Sequence, residues 1–207
     1  KELKQQPPSG ILMVGFKKDS MAKIYLGKTI EQAAQMRNQS PENTIIDLII
    51  EDDSRIQCIY FSMSEENIRK KVQIPWLSFC SDAGSYSDIT KDFKTHPRAF
   101  GSFVRVLGKF SRDEGLISLE EAVRKLSGFP ATNLGLNKRG FLKKGYYADV
   151  VIFDPLKISD KATFNKPLQY AEGVDHVFVN GEQVLENGNH TGKFPGIYIK
   201  GRGAKIK

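Results

Sequence analysis

Ile74-Pro75-Trp76-Leu77-Ser78-Phe79-Cys80-Ser81-Asp82 is the stretch that decides how this chain is read. It is an apolar run that ends on a carboxylate, and a long polar loop follows it. Such a run predicts a buried strand with Asp82 at its C-terminal tip, the end at which α/β barrels keep their chemistry. Beyond the loop come His96-Pro97-Arg98 and then an amphipathic stretch. An acid and a planar, fork-shaped cation near a strand end suggest a hydrolytic site. The chain supplies too few metal ligands to complete one.

Working outward, residues 40–82 alternate helix, strand, helix, strand. Ser40-Pro41 gives an N-cap followed by a proline at the first helical position. The helix it opens carries Ile45, Ile46, Leu48, Ile49 and Ile50, so burial over a wide face is expected. Arg55 to Phe61 reads as a strand, and Ser64 opens a charged helix reaching about Val72. This alternation predicts parallel βα units and an α/β fold. Upstream, residues 1–10 read as a linker, Ile11 to Phe16 as a strand and Thr29 to Arg37 as a helix.

Downstream, residues 83–95 form a loop long enough to be functional more often than idle. Phe100 to Phe110 reads as a helix with Phe103, Val104, Leu107 and Phe110 along one face. Ser118-Leu119-Glu120-Glu121 is a capping box; the helix behind it presents Leu119, Ala122, Val123 and Leu126, and Gly128 is expected to stop it. Pro130 to Leu134 starts another short helical turn. After Gly140 the pattern alternates. Ala148 to Pro155 reads as a strand closed by a turn, Val174–Val179 and Glu182–Leu185 as a hairpin about Asn180-Gly181, and Ile197–Lys200 as a last strand. Residues from about 141 therefore form a small β unit apart from the helical part.

Composition sets the bounds. The chain has 207 residues, 40% hydrophobic and 27% charged, as an ordinary globular protein has. The net charge of +7 is scattered, apart from a tail of Lys200, Arg202, Lys205 and Lys207. Nucleic-acid binding would need clustered Lys/Arg with stacking aromatics, so no nucleic-acid partner is expected. No apolar run of about 18 residues is present, so no membrane span is expected; no signal peptide is recognised either. Cys58 and Cys80 each sit in an apolar run and read as buried free thiols, without a Cys-x-x-Cys metal pair. The chain opens Lys1-Glu2-Leu3-Lys4 without an initiator methionine, which points to processing or to excision from something longer. The compartment is left open.

Several strings, in this order and spacing, resemble one family. They are Ser81-Asp82-Ala83, His96-Pro97-Arg98-Ala99-Phe100-Gly101-Ser102-Phe103, Arg105-Val106-Leu107-Gly108, the stretch from Ser118 to Lys125, Phe129-Pro130-Ala131, the stretch from Gly145 to Pro155, and Val179-Asn180-Gly181. Together they resemble the D-aminoacylases, N-acyl-D-amino-acid deacylases of the amidohydrolase superfamily, over roughly residues 55–200 and more faintly over 25–55. The resemblance implies a zinc-dependent (β/α)₈ barrel with a β-sandwich, of which this chain is the C-terminal part. Residues 1–140 would be the last βα units of the barrel, with part of an insertion near 1–55. Residues 141–207 would be the C-terminal portion of the sandwich, and Asp82 would tip the eighth barrel strand. The family's His-x-His metal pair is missing: the histidines here are His96, His176 and His190, and none forms such a pair.

By position alone Asp82 reads as a strand-end aspartate capping backbone N–H groups. The resemblance makes it a metal ligand and the catalytic acid/base, which takes a proton from water and returns it to the leaving nitrogen. Arg98 could hold the free α-carboxylate of an N-acyl-D-amino acid through two parallel hydrogen bonds. His96 could shape the same substrate-binding loop. His176 and His190 read as structural or exposed. The isolated chain is expected to be inactive, with oligomerisation through exposed barrel edges possible. Two other readings stay open: a cyclic-amidase relative of the hydantoinase or dihydroorotase kind, and a non-catalytic binding or assembly module.

Overall fold

In the computed structural model, which describes residues 6–84, 86 and 94–201, β1 (Ile11–Gly15) pairs antiparallel with β2 (Gln57–Tyr60) in register Ile11↔Tyr60 and Leu12↔Ile59. The expected parallel βα units are therefore not what these strands build. Every ladder among the described residues is antiparallel. Backbone contacts divide the chain into two units, each of which has its own core.

The first unit comprises Lys1–Glu65, Ala83–Ala99 and Thr163–Gln169. Between β1 and β2 lie α1 (Asp19–Tyr25), α2 (Ile30–Arg37) and α3 (Pro41–Asp52). Local chemistry explains their starts. Thr29 and Gln32 form a reciprocal capping box at α2, and Ser40 accepts from the Asn43 N–H with Pro41 at the first position of α3. Met13, Ala33 and Leu48 are wholly buried against Ile11, Met21, Tyr25 and Ile30. The wide buried face expected of α3 is instead a stripe of Thr44, Leu48 and Asp52, with Ile46, Ile49 and Ile50 exposed. Buried Asp52 takes the N–H groups of Lys17 and Lys18 at 2.9 Å and the Ser54 hydroxyl. Burial works to raise its pKa, but these hydrogen bonds hold it below the ordinary carboxylate value.

The second unit comprises Glu66–Asp82, Phe100–Ala162 and Tyr170–Lys207. It includes most of α4 (Glu65–Gln73) and of α5 (Arg98–Arg105), a π-helical segment (Val106–Asp113), α6 (Leu119–Leu126) and α7 (Gly128–Leu134). Its core joins Val72, Val106, Phe110 and Ala122, flanked by Ile68, Phe79, Leu107 and Leu126. Phe103, assigned to the core face by periodicity, is exposed because the backbone passes into π turns after Arg105 and shifts the face. Gly108 permits a close approach there: a Cβ on it would lie 2.6 Å from the Ile158 carbonyl oxygen. Ser118 accepts from the Glu121 N–H, the first half of the expected capping box. Gly128 opens α7; Ser127 is the residue that ends α6.

The β unit is an antiparallel meander of β3 (Val150–Phe153), β4 (Val174–Val179), β5 (Glu182–Glu186) and β6 (Asn189–His190). Asn180 and Gly181 have φ of 51° and 85°, the positive pair that the predicted hairpin requires. Asn187-Gly188 repeats the device at φ of 49° and 76° and adds β6. Ile197–Lys200 is not a strand, since that segment joins no ladder among the described residues. No helix among the described residues is long and apolar enough to cross a membrane.

Candidate active site

Asp82 ends the second unit's first segment. The run Ile74–Asp82 is not the strand its composition predicts, because it has no ladder partner among the described residues. A strand needs a neighbour for its N–H and C=O groups. The run keeps the alternation of a strand nevertheless: Leu77, Phe79 and Ser81 are half-buried, whereas Ser78, Cys80 and Asp82 are exposed. Phe79 packs against the Val72–Phe110 core and anchors it. Cys80 is thus a free, exposed thiol rather than a buried one. Cys58, half-buried in β2, has its thiol pushed up by burial.

Asp82 also has unusual backbone geometry, with φ of 47°. The other non-glycine residues at positive φ fall into familiar classes. Asn38 and Asp53 cap helices, Asn180 and Asn187 turn hairpins, and Lys138 lies in a turn. Asp82 instead closes an extended run. A side chain in this region costs roughly 1–3 kcal/mol, and such outliers concentrate at functional sites.

His96 and Arg98 belong to the other unit. Arg98 opens α5, and its backbone N–H donates to His96 Nδ1 at 3.0 Å. The neutral ring therefore carries its proton on Nε2. The ring stands edge-on to Phe164, centroids 5.1 Å apart, and Phe164 stands edge-on to Phe61 at 4.7 Å. Phe61 directly follows β2, so the strand end supports the histidine through two aromatic rings. Burial first, and the Arg98 charge second, push the His96 pKa below its ordinary value. Lys94 Nζ donates to the Asn165 carbonyl at 2.7 Å and ties the same loop down. Most of the long loop singled out in the sequence, residues 85 and 87–93, lies outside the described residues. Phe61 and Phe164 carry no sequence signal for this role, being far apart along the chain. His176 sits in β4, its Nδ1 3.0 Å from Gln183 Nε2, and exposed His190 accepts the Gly192 N–H.

Among the described residues, no three His, Cys, Asp or Glu side chains gather closely enough to hold a metal ion. Catalytic zinc takes three protein ligands as a rule, so the described residues do not make a zinc site by themselves.

Residues 78–185 match the profile of the amidohydrolase family. The chain is 36% identical over 170 residues to a D-aminoacylase of Alcaligenes xylosoxydans xylosoxydans, an alignment covering 82% of this chain and 33% of that protein. A crystal structure of D-aminoacylase, described as defining a novel subset of amidohydrolases, aligns at a TM-score of 0.77 and 34% identity, over 92% of this chain and 38% of that one. The N-acyl-D-glutamate deacylase of Bordetella bronchiseptica, in complex with zinc and a phosphonate mimic of the tetrahedral intermediate, aligns at 0.74 and 30% identity, over 86% of this chain and 35% of that one. The chain thus spans about a third of the length of the relatives it matches. Its helices and sheets share an α/β fold with these enzymes over most of their aligned extent, and the chain belongs to the amidohydrolase family, in the group of the D-aminoacylases and N-acyl-D-amino-acid deacylases.

Proposed function

We propose that this chain is the C-terminal part of a zinc-dependent amidohydrolase that hydrolyses the amide bond of N-acyl-D-amino acids. In this reading residues 1–140 supply the last βα units of a (β/α)₈ barrel, with part of an insertion near 1–55, and residues 141–207 supply a portion of a β-sandwich. The single observation that carries it is Asp82: a carboxylate at φ of 47°, on the tip of an extended run, inside the segment matched by the family profile.

Asp82 takes the proton of the attacking water and delivers it to the departing nitrogen, the two-way use of one carboxylate that amide hydrolysis requires. It would also serve as one metal ligand, most of the others being supplied from outside this chain. Arg98 receives the substrate's α-carboxylate through its two parallel N–H donors, a geometry lysine does not reproduce. His96, neutral and fixed by the Arg98 N–H, holds the loop from which Arg98 starts its helix. The isolated chain has no turnover, because a single carboxylate does not hold catalytic zinc. Exposed Trp76, Leu142 and Leu156 favour association of the isolated chain through uncovered apolar surface.

The test is an assay of the complete enzyme and of this chain with zinc against N-acetyl-D-amino acids. Turnover by the complete enzyme and none by the chain is expected. In the complete enzyme Arg98→Ala lowers kcat/KM by about 10²-fold, the loss of a charge-assisted bidentate contact. Enzymatic turnover by the isolated chain contradicts the part played by the missing ligands, and an unchanged kcat/KM in the variant contradicts the role of Arg98.

A further inference from the structure

Lys125 has no exposed surface at all. It lies in the last turn of α6, and its ammonium donates to the carbonyls of Val72, at 2.5 Å, and Ile74, at 2.6 Å. These belong to the last turn of α4 and to the residue just beyond it, where helical carbonyls lack their own partners and a cation is favoured. The same ammonium lies 5.8 Å from the ring centroid of Phe79, an attractive placement of a cation against an aromatic ring. Its neighbour Arg124 donates to the Pro75 carbonyl at 2.5 Å and is itself held by Glu121 through bonds of 2.6 and 2.8 Å.

A wholly buried ammonium is costly, and burial is the first cause that lowers its pKa. A methionine would fill similar space without that cost. What the lysine adds is direction. The run that ends at Asp82 joins no ladder among the described residues, and side chains of α6 reach its first half. Four contacts, at Val72 in the last turn of α4 and at Ile74, Pro75 and Phe79 in the run, come from two consecutive residues of α6. We propose that Lys125, with Arg124 beside it, is a positioning residue that clamps the α4 exit and thereby fixes Asp82 at the tip of the run. As a role in turnover this rests on the deacylase reading above; as a clamp it stands on the contacts alone.

The clamp is tested first in this chain, by hydrogen exchange. Lys125→Met raises exchange across residues 74–82 about tenfold or more while the ladders joining β3, β4 and β5 keep their protection. Unchanged exchange at 74–82 overturns the clamp. If the ladders also lose protection, Lys125→Met has unfolded the unit, and Arg124→Met, which removes the Pro75 contact together with the half-exposed Glu121 pair and the Phe129 ring contact, takes its place with the same two outcomes. Turnover is then tested in the complete enzyme. Lys125→Met lowers kcat between 10- and roughly 100-fold with KM nearly unchanged, as displacement of a reacting group by about 1 Å does. Phe79→Leu, which removes the ring beneath the ammonium, gives a smaller loss of the same kind. An unchanged kcat in a folded Lys125→Met enzyme overturns the positioning role. Absence of turnover in the unsubstituted enzyme overturns the deacylase reading and, with it, that role, while the exchange result still decides the clamp.

Discussion

Asn180 and Asp82 both occupy the left-handed region of backbone space, at φ of 51° and 47°, yet they are held there by different means. Asn180 sits in a two-residue turn between paired strands, with Val179 opposite Glu182. Its N–H donates to Asp149 at 2.9 Å, its side-chain oxygen accepts from Arg139 at 2.6 Å and its side-chain amide donates to the Pro195 carbonyl at 2.7 Å. Arg139 also pairs with Asp149 and lies 4.1 Å from the Tyr147 ring centroid. Asp82 ends a run that joins no ladder among the described residues and is anchored by Phe79 in the Val72–Phe110 core and by side chains of α6. The hairpin residue serves the fold around it. In the deacylase reading proposed above, the strained Asp82 backbone serves the chemistry, where such outliers concentrate.

This contrast can be broken from either side. The largest effect is expected from Phe110→Ala, which empties the centre of the core behind the Asp82 run. Phe110 is buried to 6% exposure, and such a truncation costs about 3–5 kcal/mol, read as a lower urea midpoint. Next comes Arg139→Met on the hairpin side. It leaves Asp149 and Asn180 without a charged partner and costs about 2 kcal/mol, the worth of a hydrogen bond to a charged group; a midpoint unchanged from wild type would mean that the turn residues hold the hairpin without it. The smallest effect is a pH dependence at His96. Its folded pKa lies below the unfolded value, so below the ordinary histidine range near 6.5 the unfolded chain binds the extra proton first. The contribution is fully present above that pH and is lost as pH falls toward the folded pKa, because protonated Nδ1 can no longer accept the Arg98 N–H. Thermal melts from pH 8 to 5 of wild type and His96→Asn should diverge, with wild type falling more steeply. Parallel curves would remove His96 from the loop's support.

The parts legible in the sequence are those that local chemistry decides. Ser40-Pro41 marks the start of α3, and Asn180-Gly181 marks the hairpin, because cap and turn geometry involve neighbours within a few residues. What the sequence hid depends on distant partners. The antiparallel pairing of Ile11–Gly15 with Gln57–Tyr60 joins segments separated by three helices, a partner that the alternation over residues 40–82 does not reveal. The apolar run before Asp82 has the burial rhythm of a strand but lacks the ladder that would make it one. The π turns after Arg105 move Phe103 outward through a hydrogen-bond shift that periodicity does not encode. Asp82, His96 and Arg98 stand out through their motifs, whereas Phe61, Phe164 and Lys125 do not. Their roles come from contacts across tens of residues, and a lysine in an amphipathic helix reads as a solvated face.

The most direct test is Asp82→Asn in the complete enzyme, assayed for hydrolysis of N-acetyl-D-amino acids across a pH series. The substitution keeps the size and the backbone and removes the proton carrier. A fall in kcat of about 10³-fold, within the range set by general acid–base groups, is predicted, with the enzyme still folded. Wild-type turnover in that variant would contradict the assignment of Asp82 to the chemistry.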